Sequence, residues 1–583
     1  MVMNFDTKKP PQSRRKYYII GGVVLLILVV VGIVLGVVLT RKSSDGVMPT
    51  ICITGLNETI SLVPNATSTT LSELEPSRRS GISNLVSANA NTTGLCYSVL
   101  NNLYDVIPDF SGTGYRAGLA EIPSDIPVVH TISPNSGGGD DTRRIQEAIN
   151  TVASKSVDKN GFRGALLLTS GIYRLADTIT LSSSGIVLRG DPNGNTTLIG
   201  TSPRTYTLIR ANGPSGGLSG STKYNIAQTY VPLGAFQFTI KSGDSRNFKV
   251  GDDVIVARKG NQDWIKEINM ADLSKRDPPG RHSTNWTPFE LTFTRKVTAV
   301  DYRSGMIAID VPLTNSIDSR WGGGYIQKYS LNRLENIGVE YINAISTFDP
   351  SKKSTVGRST EYLNDENHAD KVVIFEGVMN GWIKHVTAKY FNHFIELGRN
   401  SKWVTVDSCS YSEPVSTITG GARYPYLINS GAEQILVRHS TSSESRHAFS
   451  YGSRVSGPNV FYNCTAEREY STSEPHMHWS TGGLYDNVKS NIAVQNREYY
   501  GSGHGWSGAN YVLWNTQGDN TVQKPPTAWN FAVGTTGRQN KGAFANQAEQ
   551  GWWESFQKPV LPRSLYLKQL EDRINTYKMK NSS

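Results

Sequence analysis

Val372-Val373-Ile374, Phe394-Ile395, Leu427-Ile428, Ala448-Phe449, Trp479 and Trp506 form one recurring apolar series between residues 371 and 514. Ile383, Val404, Ile435, Val460, Leu484 and Val512 form a second, stepping by 21, 31, 25, 24 and 28 residues. Breakers separate the runs: Asn380-Gly381, Gly398-Arg399-Asn400, Ser430-Gly431, Gly457-Pro458 and Gly482-Gly483. A strand this short cannot bury a face alone, so repetition roughly every 20–30 residues implies stacked windings. No amphipathic helical period lies between the runs, which disfavours alternating strands and helices. The pattern predicts an all-β chain coiled as a parallel β-helix.

The 583 residues suffice for a large core, and the net charge of +10 is scattered. A scattered cationic surface is either simply solvated or drawn to an acidic polymer such as a uronate or sulfated glycan. No basic-aromatic module for nucleic acid stands out. Of four cysteines, Cys52 and Cys96 can pair in an oxidising lumen. Cys409 and Cys464 end strands two windings apart. At roughly 4.8 Å per winding they stand too far apart for a disulfide and read as buried apolar residues.

Lys8, Lys9, Arg14, Arg15 and Lys16 precede an uncharged apolar run over residues 17–40, and Arg41 and Lys42 follow it. That length spans a bilayer, and the charge bias leaves residues 1–16 cytoplasmic and the bulk outside, as in a single-pass type II membrane protein with a signal-anchor. Asn57, Asn65, Asn91, Asn195, Asn285 and Asn463 each start a glycosylation acceptor triplet, consistent with an extracytoplasmic glycoprotein. Residues 41–104, rich in Ser, Thr and Asn, read as a stalk or linker.

Gly139-Asp140-Asp141-Thr142 leads into Arg143-Arg144-Ile145-Gln146-Glu147-Ala148-Ile149, where Asp141 or Thr142 can cap a helix whose Ile145, Ala148 and Ile149 share a face. Gly171-Ile172-Tyr173-Arg174-Leu175 and Gly185-Ile186-Val187-Leu188-Arg189-Gly190-Asp191 follow as strands. A solenoid's open end exposes core and unpaired backbone, and this helix would plug it. These motifs resemble the pectate lyase superfamily (pectin lyase-like), in its rhamnogalacturonase/epimerase-like branch. The resemblance covers residues 130–200 closely and the windings to about 515 more loosely. It implies a right-handed parallel β-helix that cleaves or modifies acidic polysaccharides. The matched motif is structural, and neither the family's calcium-binding aspartates nor its catalytic aspartate set falls on positions here. Calcium is therefore left open as a cofactor.

The windings divide into residues 105–229 and 331–530, with a β module inserted over 230–330. There Val231-Pro232-Leu233-Gly234, Phe248-Lys249-Val250-Gly251-Asp252-Asp253-Val254-Ile255-Val256 and Met306-Ile307-Ala308-Ile309-Asp310 read as antiparallel strands. Its loop over residues 264–286 either walls a sugar groove or covers hydrophobic surface. The tail, residues 531–583, carries an amphipathic helix over 564–574 with Ser564 as a cap.

Histidines supply the candidate site. His393, His447, His478 and His504 each sit two residues before Ile395, Phe449, Ser480 and Trp506, with Tyr424 and Tyr426 on the winding between the first two. Equal offset from successive parallel strands stacks side chains on one face. Such a column either lines a groove for a linear polymer or forms a ladder that stabilises turns. β-Elimination from a uronic acid needs a cation on the carboxylate, a base for the adjacent proton and an acid for the leaving oxygen. His447 or His478 would be the base, Tyr426 the acid, and Arg446 or Arg454 the clamp, with His393, His504, Tyr424, Asp365 and Glu366 binding substrate. Glycoside hydrolysis would instead use two carboxyl groups, with Asp365, Glu366, Glu396 and Asp486 available. His476-Met477-His478 places two imidazoles on one face, but no third ligand stands at a telling spacing, so no metal site is expected. The sequence thus points to a membrane-anchored polysaccharide lyase acting on an acidic polysaccharide. A hydrolase or a non-catalytic carbohydrate-binding surface protein on the same scaffold is the alternative, and oligomeric state stays open.

Overall fold

The computed structural model describes residues 37–39, 50–53, 81–88, 94–214, 219–357 and 360–582. Its repeating unit is a winding that contributes strands to two parallel sheets. Along the longer sheet of nineteen strands, Ile383 stands beside Val406, then Val437, Phe461, Tyr485, Leu513, Ala532 and Trp553 on successive strands. In the seven-stranded sheet the corresponding line is Leu181, Ala211, Phe375, Leu397, Ile428, Tyr451 and Pro475. Same-register parallel stacking through so many windings defines a parallel β-helix.

Inside it, aromatic rings interlock from winding to winding: Phe394–Tyr426 and Tyr426–Phe449 centroids lie 5.4 Å apart, and Phe461–Tyr485 5.5 Å. Cys409 and Cys464 are free and buried in this interior, where burial pushes both thiols up to about 12. At the start, helix Thr142–Ala153 buries Ile145, Ala148, Ile149 and Val152 over the first winding. Its first N–H is accepted by Asp140 at 3.1 Å rather than by Asp141. Asp141 faces inward and accepts from the Arg174 and Asn135 amides.

Trp479 and Trp506 do not continue the first apolar series. The strand Ser480–Asp486 belongs to the longer sheet, and both tryptophans lie beneath the inserted module. That module is an antiparallel sheet built on Asp253–Lys259, Glu290–Asp301, Met306–Ile309 and Gly324–Ser330. Trp264 and Trp286 pack on Trp479, Trp506 and Phe289, so the loop over 264–286 covers hydrophobic surface. Arg295, fully buried in the module, reaches Glu433 of the solenoid at 3.0 Å and donates to the Val311 and Gly457 carbonyls.

Val460, Leu484 and Val512 of the second series turn outward, yet they are buried. What covers them is a segment expected to be stalk. Leu85, Val86, Leu95, Tyr97 and Leu100 pack there together with the C-terminal helix Leu565–Ser582. Gly81 pairs with Val560, the Leu95 N–H donates to Asp572 at 2.8 Å, and Gln569 bridges the Phe110 N–H and the Tyr97 hydroxyl. The segment packs despite its polar composition because its few apolar residues meet an apolar sheet face. Ser564 Oγ accepts the Leu567 N–H, and Asp486 accepts from Ser564 and the Tyr566 N–H.

Cys96 is disulfide-bonded and stands opposite Cys52 in the antiparallel pair of Thr50–Ile53 and Leu95–Ser98. Most of the expected membrane span, residues 17–36 and 40, lies outside the described residues, while Val37–Leu39 form a strand against Thr50–Ile53. Among the described residues no helix is long and apolar enough to cross a membrane. Asn57, Asn65 and Asn91 also lie outside the described residues. Asn195 and Asn463 are exposed, and Asn285 is half-buried, accepting the Ser274 N–H at 2.9 Å.

Candidate functional site

The strands Ile395–Leu397, Tyr426–Ile428 and Phe449–Ser453 are neighbours in the seven-stranded sheet, with Ile395 opposite Tyr426 and Tyr426 opposite Phe449. Two residues upstream, His393, Tyr424 and His447 therefore fall in line. Their rings follow at 6.1 and 4.8 Å. The next strand, Pro475–Met477, brings in His476 rather than His478: the His476 ring is 5.2 Å from His447, 5.5 Å from Tyr424 and 4.7 Å from His504. His478 and Trp479 both adopt positive φ (56° and 61°), so the chain turns there and leaves the sheet. The His478 ring consequently packs 5.3 Å from Trp286 of the inserted module.

Glu474 is the electrostatic centre of this cluster. Its carboxylate, 3% exposed, accepts from His476 Nδ1 at 2.9 Å, from Thr472 Oγ1 at 3.0 Å and from Arg497 Nη1, with His447 Nδ1 at 3.3 Å. Burial alone would raise its carboxyl, but Arg497, His447 and His476 hold it well below the usual carboxylate range. His476 Nδ1 lies between the Glu474 carboxylate at 2.9 Å and the Arg497 guanidinium at 2.8 Å, so the ring's charged contacts are made through Nδ1 rather than Nε2. The Tyr424 hydroxyl lies 3.3 and 3.4 Å from the two His476 nitrogens, and Arg446 Nη1 is 3.5 Å from that hydroxyl. Burial lowers His476 despite Glu474, lowers His393, His447 and His478 to about 4, and His504 to about 3. These imidazoles are neutral at pH 7. Burial also pushes Tyr424 up to about 12, so it keeps its proton.

The cluster combines a neutral imidazole oriented by a carboxylate, a protonated phenol against it, and a half-buried guanidinium beside the phenol. It is equipped for proton abstraction and donation next to a bound anion. His447, Glu474 and His476 offer ligand atoms within 4.8 Å of one another, a spacing that would suit a cation. Arg497 already stands there, bonded to Glu474 and 2.8 Å from His476 Nδ1, so a guanidinium supplies that charge.

Other residues singled out from the sequence lie elsewhere. Tyr426 is a core residue whose hydroxyl donates to the Cys409 and Thr441 carbonyls, so it cannot reach a substrate. Arg454 is exposed and stacks over Phe289 of the inserted module at 4.2 Å. Asp365 is buried, paired with Lys352 at 2.9 Å and lowered to about 2, against its burial, by the Asp349 amide and Lys352. Glu366 is exposed and accepts the Thr417 N–H. Asp486 anchors the C-terminal helix instead of facing this sheet. His447 is buried, with Nδ1 on the Thr472 carbonyl at 2.6 Å, which suits a supporting rather than a reacting group. The sequence assigns no role to Glu474 or Arg497. The signal for the first was Glu474-x-His476, whose side chains share a strand face; Arg497 comes from a loop and left none.

The same face continues past His393 to Glu396, which binds Lys371 at 2.8 Å and Asn429 at 2.8 Å. Against its burial, Lys371 and Asn429 hold Glu396 low, whereas burial, then the nearby Glu396, raises Asp370.

No protein-family model and no curated protein matches the sequence. Solved structures with a similar course are the Gp54 tailspike of Acinetobacter baumannii bacteriophage AP22 in complex with A. baumannii capsular saccharide (10% identity, 72% of this chain and 71% of that one, TM-score 0.35). Polygalacturonase from Erwinia carotovora (9%, 75% and 86%, 0.27) and PfbA, a surface adhesin of Streptococcus pneumoniae (10%, 72% and 90%, 0.28), are also similar.

Proposed function

We propose that the protein processes an acidic polysaccharide laid along the outward face of the seven-stranded sheet, by β-elimination. The observation that carries this reading is the Glu474–His476–Tyr424 array with Arg446 at its edge. His476 Nε2 takes the proton beside the uronate carboxylate, whose charge Arg446 offsets. The freed electron pair forms the carbon–carbon double bond as the β carbon–oxygen bond breaks, and Tyr424 gives its proton to the departing oxygen. Incubation with uronate polymers should then generate the ultraviolet absorbance of an unsaturated product; new reducing ends without that absorbance would sink elimination.

Asp370 and Glu396 support a second reading, glycoside hydrolysis. One carboxyl is raised and the other held ionised, the division of labour that hydrolysis needs. Binding of glycan without either product would leave a carbohydrate-binding surface protein. In all three readings the uncharged apolar run that precedes the Val37–Leu39 strand anchors the chain and displays the solenoid outside, a role supported by its length and lack of charge. The full chain should then sediment with membranes and resist alkaline extraction, whereas a chain starting at residue 41 should not.

A further inference from the structure

We infer that Tyr499, Tyr500 and Phe544, with Arg281 beside them, form an additional subsite for a uronic-acid residue of a long chain; this rests on the glycan reading above. The loop over 497–505 is closed by the bridge between Asn496 and Trp506. Its inner residues, Arg497 and His504, belong to the histidine cluster, while Tyr499 and Tyr500 turn outward. Tyr500 is 39% exposed, and its carbonyl accepts the His504 N–H at 2.9 Å, so the outer and inner residues share a single turn. Tyr499 and Tyr500 meet Phe544 edge-on at 5.1 and 5.0 Å, and each other at 5.8 Å. Three aromatic rings held edge to face, two of them on the loop that carries Arg497 and His504, offer flat π-faces to the apolar C–H side of a pyranose. Arg281 adds the acid preference. Its guanidinium lies 5.5 Å from the Tyr499 ring and donates to the Tyr499 carbonyl at 3.1 Å, which places a charged fork next to the ring with N–H groups left for a carboxylate. A neutral sugar would use the rings alone.

The test uses the full chain and galacturonate oligomers of graded length, binding being measured directly by calorimetry and turnover separately. Affinity should rise with chain length in the wild type. Tyr500→Ala and Arg281→Ala should each lower affinity for long oligomers roughly tenfold, leave the shortest oligomers unaffected and leave the melting temperature unchanged. Equal affinity of wild type and both variants for long oligomers would overturn the subsite, whatever the turnover shows. A loss with Tyr500→Ala but none with Arg281→Ala, together with equal binding of a neutral xylan, would overturn its acid class. Length-dependent binding that needs Tyr500 without unsaturated product would uphold the subsite and refute elimination.

Discussion

Arg276 of the inserted module donates to Glu498 at 2.7 Å, and Glu498 is fully buried one residue from Arg497. The module also holds this loop through Thr284 N–H on the Ser502 carbonyl and Trp286 Nε1 on the Gly503 carbonyl, both at 2.9 Å. The β module therefore braces the segment that delivers Arg497 and His504. Arg276→Ala leaves a buried carboxylate without its cation, an error costing about 3–5 kcal/mol. Melting temperature and turnover should fall together, and an unchanged melting curve would show that the brace is unimportant.

His476→Ala should reduce turnover about 10²–10⁴-fold while stability changes by only about 1 kcal/mol. Tyr424→Phe should reduce turnover as well, since it removes the donated proton. Tyr426→Phe should cost about 1 kcal/mol from two lost hydroxyl bonds and leave turnover intact. Steady-state kinetics paired with denaturant unfolding separates these, and a turnover defect in Tyr426→Phe would contradict the assignment.

Stability should decline between pH 6.5 and about 4. In the folded chain His393, His447 and His478 resist protonation until about 4, chiefly because they are buried, while unfolded histidines take protons near 6.5. Within that window the unfolded chain holds more protons, so stability rises with pH and is lost as pH falls. His447 alone contributes about 3 kcal/mol to this loss. Glu474, held low, extends the same trend to more acid pH. Unfolding free energies measured at several pH values check this, and a flat profile across the window would refute it.

The acid limb of turnover should lie below the ordinary histidine range, because burial lowers His476, and activity should stay level through neutral pH while Tyr424 holds its proton up to about 12. A bell centred near 6.5 would point to a different base.

The windings were legible because each apolar run had to find a neighbour to hide its face, and Ile395, Tyr426 and Phe449 do lie side by side. The column was legible only as far as strand spacing governed it, from His393 through Tyr424 to His447. Beyond that, left-handed backbone at His478 and Trp479 removed His478 from the strand, and tertiary packing of the inserted module took over the two tryptophans. Tyr426 was misassigned because alternation around a tight winding did not reveal that its hydroxyl satisfies interior carbonyls. Glu474 carries no role in the sequence pattern, because the charge that offsets its burial comes from Arg497, which no local pattern announces. The polar composition of residues 81–104 hid how few apolar contacts suffice when the receiving sheet already presents Val460, Leu484 and Val512.

The clasp between residues 81–100 and the helix Leu565–Ser582 ties two segments far apart in sequence to each other along the flank of the coil. Removing the helix Leu565–Ser582 would therefore undress Val460, Leu484 and Val512 and free the leading segment at once. Any pull transmitted from the amino end would be shared as shear across several neighbouring windings, a loading far more resistant than the peeling of a terminal one.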